Sequence, residues 1–271
     1  MTTRELYYAC TGRADQPPLL LLHGFLGSGS DWDGIVEHFA DRFYYITVDL
    51  PGHGQSVECV DSSMYSFFGA RDAIVSIVER LHIRDVHLIG YSMGGRLALA
   101  VALHTPGVFS KIVLESSSPG LEAPADQAKR SAQDDELASQ IESTDLSAFL
   151  DRWYAQPIFS SLQARPDLLN RLKAARLRQC PEELARALRG LSTGCQPSYW
   201  DRLATMNVPL LLVTGELDQK YRRIGENMVS LCKDAQTAIV PGAGHNTHGE
   251  DPDAFVRLVD SFFDESRCTM E

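Results

Sequence analysis

Gly90-Tyr91-Ser92-Met93-Gly94 constrains this chain more than any other stretch. It reads G-x-S-x-G between an apolar run, Asp85-Val86-His87-Leu88-Ile89, and a helix-like run from Leu97 to His104. A serine framed in this way sits on a sharp strand-to-helix turn that lifts its hydroxyl above a sheet. Glycines flank it because a side chain there would collide with the neighbouring strand and helix. The turn also leaves the N–H after the serine at a helix N-terminus, a ready place for an anion. The five letters alone fit an ordinary glycine-rich turn about as well. The strand before and the helix after favour the functional reading.

The surroundings repeat one rhythm. Leu19-Leu20-Leu21-Leu22, ended by His23-Gly24-Phe25-Leu26-Gly27, reads as a buried strand of a parallel sheet. Trp32, Ile35, Val36 and Phe39 follow at helical spacing. Tyr44 to Asp49 predicts a second strand, closed by Leu50-Pro51-Gly52-His53-Gly54. Phe67, Ala70, Ile74, Ile77, Val78 and Leu81 predict an amphipathic helix over 66–81, and Lys111 to Glu115 another strand. Strands alternating with helices give an α/β chain with a doubly wound, mostly parallel sheet. From Leu121 to about Ala204 the alternation stops. That segment predicts helices at 126–141, 146–154, 166–178 and 181–191, and no strand. Strands resume at 208–214 and 238–240, and a last helix covers 252–263. The expected organisation is therefore a core of residues 1–120 and 205–271 with a helical cap, 121–204, inserted into it. A separate folding unit fits that modest length and those tight flanks less well.

Composition narrows the function. A net charge of −11 argues against nucleic acid and anionic membrane as partners. The six cysteines show no C-x-x-C spacing, so neither a disulfide framework nor a metal site is expected. No apolar run reaches the roughly 20 residues of a spanning helix, and the first residues carry no signal-like apolar core. A cytoplasmic protein is expected, with a monomer favoured. Residues 121–204 hold 11 of the 25 Lys and Arg but only 12 of the 36 Asp and Glu. Cations gathered there, in an otherwise acidic chain, would suit an anionic substrate if some face the cleft.

A serine hydroxyl becomes reactive when a histidine takes its proton, and that histidine needs an orienting carboxylate. In a sheet of this kind the order along the chain is Ser, acid, His, each at the C-terminal end of a strand. Strand 209–214 ends in Gly215-Glu216-Leu217-Asp218, and strand 238–240 in Pro241-Gly242-Ala243-Gly244-His245. Asp218 is preferred to Glu216 because it lies farther into its loop. His245 is preferred to His248, which falls toward the next helix. The expected triad is Ser92, Asp218 and His245, with backbone N–H groups of Met93 and Phe25 as the oxyanion hole. His23 and His53 are expected to be structural turn residues.

Taken together, His23-Gly24-Phe25, Asp49-Leu50-Pro51-Gly52-His53-Gly54, Gly90 to Gly95 and Gly242-Ala243-Gly244-His245 resemble the α/β-hydrolase superfamily, over residues 18–120 and 205–265. Further motifs are similar to one family within it, the 2-succinyl-6-hydroxy-2,4-cyclohexadiene-1-carboxylate synthases. These are Arg96 after the elbow, Ser118-Pro119-Gly120-Leu121, Arg130, Trp153 to Phe159, Arg176 ahead of Gln179-Cys180-Pro181, Gly194 to Trp200, Lys220 and Asn246. That resemblance implies pyruvate elimination from a tricarboxylate in menaquinone or phylloquinone synthesis, without metal or organic cofactor. It implies that Arg96, Arg130, Arg176 and Lys220 bind carboxylates, with Arg178 an alternative to Arg176, and that Tyr91, Trp153 and Tyr154 wall the pocket. Ser92 could act as base or as nucleophile. The core motifs also fit a carboxylesterase or C–C hydrolase, or a non-catalytic binding relative.

Overall fold

A continuous apolar run such as Leu19–Leu22 forms a strand when both faces of a sheet are covered. In the computed structural model, which describes residues 5–57 and 61–264, all four leucines are fully buried. Leu20 and Leu22 enter one hydrophobic core, while Leu19 and Leu21 enter another on the opposite face. Seven strands build the sheet: β1 (Tyr8–Thr11), β2 (Pro18–Leu22), β3 (Tyr44–Val48), β4 (Val86–Tyr91), β5 (Phe109–Glu115), β6 (Leu210–Gly215) and β7 (Ala235–Val240). Their order is β1-β3-β2-β4-β5-β6-β7, with only β1 antiparallel to its neighbour.

The chain builds outward one way from β2 and then the other way from β4. The topological switch point lies between those two strands, where ligands of open α/β sheets bind beyond the carboxyl ends. Helices α1 (Asp33–Phe39), α2 (Phe67–Arg80) and α3 (Met93–His104) follow β2, β3 and β4. Between β5 and β6 come α4 (Pro124–Ser143), α5 (Leu146–Tyr154), α6 (Ser160–Gln163), α7 (Pro166–Arg176) and α8 (Pro181–Gly190). After β6 come α9 (Gln219–Leu231), then α10 (Thr247–Glu250) and α11 (Pro252–Asp264) beyond β7. The strands and most helices match the sequence reading to within a few residues. Edge strand β1 and helices α6, α9 and α10 lie outside the sequence reading.

The helices between β5 and β6 carry their own core, with Ala138, Ile141, Phe149, Leu150, Leu162 and Leu184 among its buried members. Their seams with the sheet combine apolar contacts, Ala187 and Leu191 joining the sheet core and Leu26 joining theirs, with polar bonds. Gln179 accepts from Gly54 N–H at 2.8 Å and donates to Gly27 O at 2.9 Å. Tyr65 donates to Glu183. Among the described residues no helix is long and apolar enough to cross a membrane.

Candidate active site

The elbow is as strained as its sequence demands. Ser92 stands at φ 49°, ψ −106°, a conformation that costs a non-glycine residue about 1–3 kcal/mol. Room for the turn comes from Gly94, where a Cβ would lie 2.3 Å from the Leu22 carbonyl. Although Ser92 occupies the N-cap of α3, its hydroxyl caps nothing. It lies instead 3.1 Å from His245 Nε2. His245 Nδ1 is 2.7 Å from Asp218 Oδ2, so the imidazole donates to the carboxylate and keeps Nε2 free to accept from the serine. Asp218 is also the N-cap of α9, with Oδ1 accepting from Tyr221 N–H at 3.2 Å. One carboxylate thus starts a helix and orients the histidine. Glu216 turns elsewhere and accepts from Gly242 N–H at 2.8 Å.

Met93 N–H opens α3, where the first amides have no helical acceptor. Phe25 follows Gly24, which is pressed against the elbow: a Cβ there would lie 2.6 Å from the Tyr91 ring and 3.6 Å from Ser92 Cβ. Only glycine fits where the loop leading to Phe25 passes this close to the elbow. Phe25 and Met93 both line a cavity of about 580 Å³ that also exposes Ser92, Asp218 and His245.

Three other histidines near the site are fixed structurally. His23 Nε2 accepts from Leu50 N–H at 2.9 Å and its Nδ1–H donates to Gly24 O at 2.7 Å. His53 Nε2 accepts from Leu26 N–H at 3.1 Å, and burial pushes its pKa down to about 3. His248 is buried with Nδ1 2.6 Å from Glu115 Oε2, its ring stacked on Trp32 at 4.4 Å.

Of the residues expected to hold substrate, Tyr91, Arg96, Arg130, Trp153 and Lys220 line the cavity. Arg96 bonds only neutral groups, Leu191 O at 2.7 Å and Gln196 Oε1 at 3.1 Å. Burial lowers its pKa to about 10, which leaves it charged at neutral pH. Arg130 Nε donates to Asp134 Oδ2 at 2.8 Å; Asp134 is buried and also accepts from Ser192 Oγ–H at 2.6 Å. Lys220 is exposed at the rim, its Nζ 5.1 Å from the centre of the Tyr221 ring. Burial holds the Tyr91 phenol well above its usual pKa, so its hydroxyl remains a donor.

Two expected ligands are elsewhere. Arg176 is only 4% exposed and does not line the cavity. Its two terminal nitrogens each donate to Asp31, at 2.6 Å. Burial opposes both charges, yet their mutual attraction wins: Asp31 is held below the usual carboxylate range and Arg176 above the usual guanidinium value. The same guanidinium meets the hydroxyl of Tyr154, which is buried against the Phe159 ring and, contrary to expectation, does not line the cavity. The bidentate geometry that suits a substrate carboxylate is thus satisfied within the protein. Arg178 is exposed and also absent from the lining.

Sequence reasoning missed Tyr221, Phe159 and Asp134. The Tyr221 ring lies 4.8 Å from that of His245, and Phe159 meets it edge-on at 6.0 Å. Tyr221 had a legible signal, three residues after an aspartate that caps a helix. Trp153 joins Phe25 at 5.3 Å, linking the inserted helices to the oxyanion loop.

A model of the alpha/beta hydrolase family matches residues 19–258. A 2-succinyl-6-hydroxy-2,4-cyclohexadiene-1-carboxylate synthase of Escherichia coli O1:K1 is 32% identical, over 89% of this chain and 91% of its own. A Bacillus subtilis (strain 168) protein whose name gives the same synthase activity provisionally is 37% identical, over 92% of this chain and 93% of its own. Among solved structures, MenH from S. aureus superposes with a TM-score of 0.89 at 32% identity, covering 98% of this chain and 99% of that one.

Proposed function

Because this chain belongs to the alpha/beta hydrolase family and, within it, to the 2-succinyl-6-hydroxy-2,4-cyclohexadiene-1-carboxylate synthases, we propose that its Ser92–His245–Asp218 triad works as a base, not as an acyl-forming nucleophile. The reaction is that of a carbon–oxygen lyase in menaquinone biosynthesis. The substrate is 2-succinyl-5-enolpyruvyl-6-hydroxy-3-cyclohexene-1-carboxylate, and pyruvate is the leaving group. Ser92, relayed to His245 Nε2, takes the ring proton beside the succinyl ketone. The C–H electrons pass into an enolate whose oxygen accepts from the Met93 and Phe25 N–H groups. Collapse of the enolate forms the double bond at ring positions 2 and 3, shifts the existing one from 3,4 to 4,5 and breaks the C–O bond at position 5. The departing enolpyruvate takes the proton from His245 and becomes pyruvate. Asp218 keeps the imidazole oriented throughout and stabilises it while it is charged.

The observation that carries this reading is Arg96, a half-buried guanidinium lining the cavity whose hydrogen-bond partners among the described residues are neutral. With Arg130 and Lys220 beside it, the cavity offers fixed cations to a tricarboxylate, and arginine binds carboxylate in two places at once. An esterase pocket for neutral substrates has no use for an unneutralised charge in its wall. Residues 121–204 serve as the lid over this cavity. We take the reaction to run in the cytoplasm, where the free thiols of Cys10, Cys180, Cys195 and Cys232 stay reduced.

The test is direct. Purified protein should release pyruvate from the enolpyruvyl substrate far faster than it hydrolyses p-nitrophenyl esters. Deuterium at the ring carbon should slow turnover unless product release limits it, and mass spectrometry during turnover should find no adduct on Ser92. Rapid ester hydrolysis without pyruvate, or an acyl-Ser92 decaying at the turnover rate, would return the chain to the hydrolases.

A further inference from the structure

Beside its cations the catalytic cavity has two carboxylates in its lining, Asp134 and Asp218. Asp218 has no oxygen to spare, since Oδ2 takes the His245 Nδ1–H and Oδ1 the Tyr221 N–H. Asp134 is different. It lies on α4 one turn beyond Arg130, on the same face of that helix. Its Oδ2 accepts from Arg130 Nε at 2.8 Å and from Ser192 Oγ–H at 2.6 Å. Ser192 Oγ accepts in turn from Gly194 N–H at 3.0 Å, which directs its own proton to Asp134. Asp134 Oδ1 has no hydrogen-bond donor among the described residues. The side chain is only 1% exposed, yet Oδ1 is not sealed inside the protein. The oxygen left over is therefore the one that looks into the cavity.

An ionised carboxylate can only accept. Aimed into a site for a tricarboxylate, it repels the ligand unless it meets a donor there. The carboxylates, ketone and ether oxygen of the proposed substrate are all acceptors. Its ring hydroxyl is the one donor. That hydroxyl sits on C6, next to C1 and the ring carboxylate. Arg130 and Asp134 present the matching pair. Arg130 Nε is committed to Asp134, which leaves Nη1 and Nη2 for a carboxylate, beside the free Oδ1.

We propose that Asp134 is a specificity-determining residue: its Oδ1 accepts from the ring hydroxyl while Nη1 and Nη2 of Arg130 hold the carboxylate on the adjacent carbon. This assignment rests on the reaction proposed above. The pair admits a ring with neighbouring hydroxyl and carboxylate groups. A ring with the carboxylate alone leaves Oδ1 desolvated and without a donor, and is rejected on that account.

The test compares the enolpyruvyl substrate with its 6-deoxy analogue, in the wild type and in Asp134→Asn. A hydrogen bond to a charged group is worth roughly 10- to 200-fold, and wild-type kcat/KM should favour the hydroxylated compound by that factor. In Asp134→Asn the two donors at Oδ2 hold the amide oxygen, which turns an uncharged NH2 toward the hydroxyl. The preference should shrink to several-fold, the worth of a neutral bond. A carboxylate that only braces Arg130 would lower turnover of both compounds alike. An unchanged ratio in the variant, or no preference in the wild type, overturns the proposal. If Asp134→Asn does not fold, a crystal structure of the wild type with the ring product decides, because the product keeps the hydroxyl. Its oxygen should lie within about 3.0 Å of Asp134 Oδ1; a hydroxyl partnered elsewhere overturns the assignment. If the wild type makes no pyruvate, the reaction assignment fails by itself. NMR titration with both diastereomers of 2-hydroxycyclohexane-1-carboxylate and with cyclohexane-1-carboxylate then decides the site. Tighter binding of a hydroxy acid to the wild type but not to Asp134→Asn upholds it, and equal binding overturns it.

Discussion

Replacing Arg176 separates a ligand from a strut. The pair it makes with Asp31 is bidentate at 2.6 Å, with side chains 5% and 11% exposed. Truncation in Arg176→Ala leaves the Asp31 carboxylate buried without its counter-charge. Breaking one side of such a buried pair costs about 3–5 kcal/mol. At roughly 2–4 °C per kcal/mol for a domain of 150–250 residues, Tm should fall by roughly 6 to 20 °C, toward the lower end for a chain of 271. Asp31→Leu combined with Arg176→Met should recover most of that loss, because a matched apolar pair avoids both desolvation penalties. Below the melting transition, KM of the surviving enzyme should stay near the wild-type value. Differential scanning calorimetry of both single variants and the double, with steady-state pyruvate release, makes the measurement. A wild-type Tm in Arg176→Ala together with a raised KM would refute the strut and make Arg176 a substrate ligand.

Arg96→Ala should instead cost about 1.5–3 kcal/mol of charge-assisted bonding, or roughly 10- to 200-fold in kcat/KM, and Arg96→Lys should not restore it, since an ammonium cannot bind in two places. Ser92→Ala and His245→Ala should each lower kcat by orders of magnitude, as parts that act as a unit do. Ser92→Gly should be more stable than Ser92→Ala by about 1 kcal/mol in urea unfolding, because glycine relieves the positive φ; equal stabilities would mean the turn stores no strain. The Asp31 pair should show in acid. Its folded pKa is depressed, so its contribution is complete above the unfolded value near 3.9 and is lost as pH falls through the folded one. The stability gap between wild type and Asp31→Asn should therefore be flat at neutral pH and narrow below about pH 4.

What the sequence displayed was whatever local chemistry enforces. The leucine run of β2, the helical spacing of α2 and the elbow each satisfy their own geometry, so each was legible. Edge strand β1 is four residues, half-exposed, and gains its identity from antiparallel pairing with β3. Helix α9 buries only Gly225 and Met228, so almost no apolar stripe announces it. Strand β7 starts three residues earlier than its apolar part because Ala235, Gln236 and Thr237 are recruited by pairing to β6. Tertiary context made these elements, and a periodicity argument has no access to it.

The arginines show the same limit within the site, and they also show what selects the chemistry. Sequence offered Arg96, Arg130 and Arg176 as carboxylate-binding cations, with Arg96, one turn beyond the elbow, the hardest to dismiss. The fold gives Arg176 a carboxylate 145 residues away that takes both of its terminal nitrogens. It gives Arg130 the half-measure of Asp134, through Nε alone. To Arg96 it gives a carbonyl and an amide, which hold the side chain in place without neutralising it. The charge left for a ligand therefore rises from Arg176 through Arg130 to Arg96. The triad cannot distinguish elimination from hydrolysis, because Ser, His and Asp serve both. An unneutralised guanidinium four residues beyond the serine can. In the proposed reaction it would anchor an anionic substrate beside the base, where proton abstraction next to a ketone needs only an acceptor and an oxyanion hole. Neutral acyl substrates would gain nothing there and leave the charge in the cavity wall without a counter-ion, which would disfavour them.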